Sequence, residues 1–305
     1  MVSYVVGRLL WTVPVLIFVS LITFVLMHAV EGGPWDREKK LPDAVVQNLN
    51  VKYGLDKPLY EQYGSFLWNA LRGDIGISFQ RQDQPVRDIL AQGFKRTAVL
   101  GSLAVVFAVA IGVSLGVLAA THRNGPADYL SLLLASLGSA IPSFALAIFL
   151  IYVFAVKLQL LPVFGWGSPK QAILPLVTLA ALPTALLARM TRASLLEVLR
   201  QDYIRTARAK GLRTSTVLYK HALRNALIPI LTAVGPITAH LVTGSFIVEQ
   251  IFAIPGTGRL VVQSISARDY GMIMGSTLFY ASIICVANLV VDITYAVVDP
   301  RIRLR

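Results

Sequence analysis

Six stretches of this sequence run for about the length of a bilayer with very few charges, and that constrains the chain more than anything else in it. They cover residues 9–30, 97–121, 130–156, 173–187, 226–248 and 272–298. A helix crosses the hydrocarbon layer with roughly 20 apolar residues. In lipid a spanning segment must satisfy its own backbone hydrogen bonds, so each stretch predicts a helix. The fourth is the shortest, and Pro175 and Pro183 predict kinks in it whose freed carbonyls a neighbouring helix must shield. Composition agrees: 14% of residues are charged, against about 25% in soluble domains, and the mean hydropathy is +0.66. The expectation is an all-α polytopic membrane protein with six transmembrane helices.

The first stretch exceeds the apolar core of a signal peptide, and no small-x-small site follows it, so it reads as a retained helix. Lys and Arg favour the cytoplasmic side. Residues 189–224 hold nine of them against two acids, Glu197 and Asp202. Arg8, Arg301, Arg303 and Arg305 fall on the same side if there are six spans. Segment 31–96 is almost neutral, with ten basic and nine acidic residues. Both termini are therefore expected in the cytoplasm. The net charge of +12 then follows from topology and does not call for nucleic acid. Cys285, the single cysteine, lies in the sixth stretch, so no intrachain disulfide or cysteine metal site can form, and no metal site is expected.

Two segments outside the spans carry information. In 31–96, Leu59, Tyr63, Phe66, Leu67, Ala70 and Leu71 form one apolar stripe at helical spacing. The turn Tyr53–Pro58 precedes it and the Gly-rich Arg72–Ser78 follows. This predicts a compact extracytoplasmic cap, either a connector or a docking surface. In 188–225, Leu196, Leu199, Tyr203 and Ala207 predict one amphipathic helix, which Gly211 ends. A second helical stretch, 214–226, leads into Pro229. Such a unit can lie on anionic headgroups or fit a groove on another protein.

The Thr206-Ala207…Gly211 arrangement resembles the cytoplasmic EAA loop of ATP-binding-cassette (ABC) import permeases. Stretches similar to the peptide/nickel branch run in order along the chain. They include Gly7–Leu10, Glu31–Asp36, Gly54–Leu59, Gly73–Ser78, Ile141–Phe144 and Leu161–Gly165. Arg205–Leu212, His221–Ala226, Val248–Gly258 and Asp299–Arg303 complete the set. The chain looks most like the B-type permease subunits of oligopeptide importers. It departs from the motif in having Arg205 where the naming glutamate stands.

The resemblance implies the type I ABC importer permease fold, in a bacterial cytoplasmic (inner) membrane. It divides the chain into 1–96, the first helix plus cap, and 97–305, a five-helix core carrying coupling loop 188–225. It implies a pathway shared with a second homologous permease subunit, two cytoplasmic ATPases and an extracytoplasmic peptide-binding protein. Arg205, Thr206, Ala207, Lys210, Gly211 and Leu212 would form the coupling surface. ATP and Mg would be bound by the partners, and no cofactor by this chain, which lacks a phosphate-binding G-x-x-x-x-G-K-[ST] loop. Oligopeptides are the implied cargo, with dipeptides, nickel or glutathione as alternatives in the same family.

Ionisable residues in or near spans are candidates for function. His240 reads either as a hydrogen bond across helices or as a pathway residue. Glu249 reads as a structural lock or an outside gate. Pro255, Gly256 and Gly258 read as a re-entrant turn. No nucleophile–base pair or H-E-x-x-H motif is present, so catalysis is not expected. An ion-coupled transporter working without ATPases is the competing class, and it predicts internal repeats and mid-membrane acids that the sequence does not clearly show.

Overall fold

The computed structural model describes residues 2–35, 41–81 and 83–298. Among them the chain is helical, with one isolated bridge between Ile77 and Pro85. The helices are, in order, α1 (Val2–Ala29), α2 (Asp43–Tyr53), α3 (Leu59–Leu71), α4 (Val86–Thr121) and α5 (Pro126–Ala140). Next come α6 (Ser143–Leu150), which continues as a π-helix over Ile151–Lys157, and α7 (Pro169–Val198). Then follow α8 (Asp202–Ala209), α9 (Thr214–Thr216), a π-helix over Val217–Ala222, and α10 (Leu223–Ala226). The chain closes with α11 (Ile228–Thr243), α12 (Phe246–Ile251), α13 (Thr257–Ser266) and α14 (Tyr270–Val298). Five stretches are long and apolar enough to cross a membrane, and a sixth is present if α5 and α6 count as one bent span. Residues 36, 299 and 301–305, which carry part of the sequence signature and the basic tail, lie outside the described residues.

Two expectations need correcting. Stretch 130–156 is not one helix: it breaks at Ile141-Pro142 with a 110° bend. Ile141 is extended (φ −87°, ψ 123°), as a residue before proline prefers to be, and Pro142 starts α6. Stretch 173–187, expected to be the weak one, lies inside a 30-residue helix that keeps both prolines. That helix opens with a capping box, Ser168 with Gln171, and Pro at its first position.

Packing divides the chain into two units. One contains the residues up to Thr97 together with Pro255–Val290. Here the first turns of α4 extend 11 residues ahead of the predicted span and bury Val86, Ile89 and Leu90 with Leu260 and Met272. Gly271 admits the preceding loop, since a Cβ there would lie 1.8 Å from the Ile77 carbonyl oxygen. The loop is pinned by Asp269, which is buried. Its carboxylate accepts from Ser78 Oγ (2.5 Å), from the Phe79 and Gln80 amides, and from the Met272 amide, capping α14. Tyr63 of α3 reaches α1, with its hydroxyl 3.0 Å from both Ser20 Oγ and the Ile17 carbonyl.

The other unit spans Ala98–Ile254 and the last turns of α14. Its centre is α7. Glycines of neighbouring helices approach it closely: a Cβ on Gly116 would lie 2.6 Å from the Ala188 carbonyl oxygen, and one on Gly138 3.0 Å from that of Ala181. Such spacing lets backbones meet in lipid, where packing rather than water drives association. Asp128 of α5 is buried and paired with Arg192 of α7 through two parallel hydrogen bonds of 2.6 and 2.7 Å.

Candidate coupling surface and pathway segment

The loop predicted to couple is built by two short helices folded back on α7. Helix α7 stops at Val198, and turns close Arg200 onto Glu197 and Gln201 onto Val198. The single helix expected through 196–207 is therefore two helices, α7 and α8, with an extended Gln201 between them. The expected apolar spacing is only partly used: Ala207 is buried, Leu196 and Leu199 are partly covered, and Tyr203 is exposed, while Leu195 and Ile204 fill the centre of one cluster that both helices face. That cluster joins Leu195, Ile204, Ala207, Val217, Ala222 and Ala226. Asn225 Nδ2 donates to the Tyr203 hydroxyl at 2.8 Å, tying α8 to α10.

The six candidate residues do not share one face. Ala207 points inward and is 8% exposed. Arg205, Thr206, Lys210, Gly211 and Leu212 are exposed. Arg205 lies 3.5 Å from Asp202, and both are widely open to solvent, so the pair contributes little to stability. Gly211 has φ +75° and caps α8, its amide bonding the Arg208 carbonyl at 2.9 Å. No atom lies within 4 Å of a Cβ built there, so backbone conformation alone selects glycine. The loop thus presents a basic rim with Leu212 as an exposed apolar point, over an apolar underside filled by the chain itself.

The segment after α11 places its candidates separately. His240 is exposed near the end of α11, and its backbone carbonyl accepts from Thr243 Oγ1. Gly244 (φ +95°) then ends the helix, so His240 and Glu249 do not share one straight helix. Helix α12 is capped by Ser245 Oγ, which accepts from the Val248 amide. Glu249 is 1% exposed on α12. In the other unit, Pro255 and Gly256 lead into α13, and its carbonyl ties Pro255 to Arg96 Nη1 at 3.1 Å. Gly258 lies within α13 rather than in the turn. Thr257, fully buried between them, bonds Thr97 Oγ1 through its amide (3.0 Å) and Tyr280 through its hydroxyl (2.9 Å).

Sequence reasoning passed over three polar groupings. Asp269, directly before an apolar run, carries a helix-start signature that could have revealed it. The Asp128–Arg192 pair gives no such signal, because its members are 64 residues apart and Arg192 counts only as one of nine basic residues. In segment 31–96, Asp83 is bonded by Lys52 Nζ and by the Tyr53 hydroxyl. The Lys52 hydrogen bond, then that of Tyr53, holds the Asp83 carboxyl below its usual pKa, and the Asp83 bond raises that of Lys52. Burial and then the Asp83 bond raise that of Tyr53. Among the described residues no three His, Cys, Asp or Glu side chains gather as metal ligands.

Residues 112–304 match the family described as binding-protein-dependent transport system inner membrane component, and residues 1–111 match that family's N-terminal region. The chain belongs to this family. It is a multi-pass inner-membrane permease. It is 45% identical over 304 residues to the dipeptide transport system permease protein DppB of Bacillus subtilis, covering 100% of this chain and 99% of that one. It is 41% identical over 305 residues to the oligopeptide transport system permease protein OppB of Salmonella typhimurium, covering 99% and 100%. Among solved structures, a chain of the inward-facing MetNI methionine ABC transporter matches 69% of this chain and 96% of its own length, with a TM-score of 0.55 at 20% identity. A chain of an amino acid ABC transporter with histidines matches 68% and 93%, with a TM-score of 0.54 at 18% identity. The expected ABC importer permease fold is the fold this permease has.

Proposed function

We propose that this permease is one transmembrane subunit of an ATP-driven importer that carries oligopeptides across the cytoplasmic membrane, with both termini inside. The observation that supports it most is the end-to-end match to oligopeptide and dipeptide permeases at 40–45% identity. A second homologous permease subunit completes the pathway as a heterodimer. Two cytoplasmic ATPases bind ATP and Mg, and an extracytoplasmic binding protein delivers peptide. The exposed rim of α8, with Arg205, Lys210 and Leu212, enters a groove on one ATPase, and ATPase closure moves it as a rigid body because Ile204 and Ala207 fasten it to α7. His240 and Glu249 are pathway or gate candidates in one unit, and Pro255 and Gly256 ahead of α13, with Gly258 in its first turn, are candidates in the other.

Reconstitution with both ATPases, the second permease and the binding protein is expected to give peptide uptake that needs ATP. Arg205→Glu with Lys210→Glu is expected to abolish uptake and co-isolation of the ATPases while the permease still inserts. Peptide transport by this chain alone in liposomes, without ATP, would falsify the reading in favour of an ion-coupled carrier. The cargo that copurifies with the binding protein decides between long peptides and the dipeptide, nickel or glutathione alternatives.

A further inference from the structure

A cavity of about 360 Å³ in the first unit has no part in the coupling argument. One wall is the start of α4 and the other the start of α13. Its lining includes the charged groups Arg81, Asp88, Arg96 and Arg259 and the amides of Gln84, Gln92 and Gln263. The lining carries three arginines and one aspartate, and Asp88 lies 3.6 Å from Arg87. The starts of two helices add partial positive charge of the same sign. The walls are fixed rather than adaptable. A Cβ on Gly93 of α4 would lie 2.8 Å from Leu260 Cδ1 of α13, and the Thr97 and Thr257 hydroxyls meet at 3.1 Å. Arg96 donates one N–H to the Pro255 carbonyl, and a guanidinium carries five. The volume sits at the low end for small-ligand pockets, so it admits the end of a chain rather than a whole oligopeptide.

We propose that this cavity receives a carboxylate of the transported peptide, chiefly the C-terminal one, with Arg81 and Arg96 as the contacting donors. The proposal rests on the peptide-importer reading. Guanidinium forks match carboxylates in a planar, two-bonded geometry. A C-terminal carboxylate is common to peptides of any sequence, so a site that reads it accepts many cargoes without reading side chains. The cavity is open to water, which keeps each contact weak enough to release.

The test uses the complete reconstituted importer and a pair of peptides that differ only in a free or amidated C-terminus, chosen to bind the binding protein equally. Arg81→Gln is expected to lower uptake of the free-acid peptide about three- to tenfold, the loss of a charge-assisted hydrogen bond in a wet site. Uptake of the amidated peptide should stay unchanged, and Arg81→Lys should restore part of the free-acid uptake. Arg81→Glu should reverse the preference. Equal loss for both peptides points to docking of the binding protein's acidic surface and overturns the proposal, as does no loss for either. If the unaltered importer moves neither peptide, the importer reading itself fails, an outcome distinct from indifference to the C-terminus.

Discussion

Two proline-bearing spans of this permease behave in opposite ways. Helix α7 keeps Pro175 and Pro183 in its interior over 30 residues, although a proline inside a helix costs about 3 kcal/mol. The stretch containing Pro142 bends by 110°. The difference lies in what surrounds them. Both α7 prolines are buried, and glycines of α4 and α5 press against the same helix. Helix α5 is clamped at its beginning by Asp128 and Arg192, whereas its last residues and Ile141 are exposed or only partly covered. Beyond the bend, α6 packs into a separate cluster through Ala147 and Leu150. A proline therefore marks where a helix can break, and packing decides whether it does.

The contrast is broken most severely at the clamp. Arg192→Ala leaves Asp128 buried without its partner, a change expected to cost about 3 kcal/mol. Thermal unfolding in detergent should show a lowered midpoint, and Asp128→Asn combined with Arg192→Gln should recover most of it. No change for Arg192→Ala would mean that α5 is held by apolar packing alone.

Next in size is Gly116→Ala. The new Cβ would meet Thr191 Cβ at 2.5 Å and the Ala188 carbonyl oxygen at 2.6 Å, both on α7. Overpacking of this kind costs about 2 kcal/mol. If α7 tolerates it, the glycine contacts are not what keeps this proline-bearing helix unbroken.

Gly211→Ala tests glycine for the opposite reason. Space is open around it, and only the positive φ resists. The expected cost is about 1 kcal/mol of local stability, read as faster amide exchange over 202–212. Gly211→Asn should cost less, since asparagine tolerates that conformation. Under the proposed coupling role, ATPase co-isolation should weaken in the same order, with valine worst.

The spans were legible because a run of apolar residues states its solvent directly, and Gly211 was legible because a glycine ending an amphipathic pattern has few other uses. The turn at 199–201 was not, because Leu195, Ile204 and Ala207 meet one cluster whether one helix or two carry them. The extension of α4 over 86–96 escaped notice since its charged residues hide a stripe of Val86, Ile89 and Leu90. Asp128 and Arg192 are distant in sequence, and no local pattern connects them. Local signals located elements and stops; what the stops do depends on partners that only the folded chain brings near.

The smallest expected effect bears most directly on the opening contrast. Pro142→Ala restores an amide and frees φ, which in the unfolded chain costs about 0.5 kcal/mol of entropy. If proline itself set the bend, the substitution would straighten 126–157 into one helix. Packing predicts otherwise, because Ala135 is buried with Ala185 and Ala188 while Ala147 and Leu150 are buried with Leu174 and Phe252. Both halves are held by α7, at separate places, and a straight helix would have to leave one of them. Distances between spin labels at Leu130 and Phe149, both exposed, should therefore stay unchanged in Pro142→Ala. A straight helix would lengthen that distance toward about 28 Å, and such a shift would return the break to the proline.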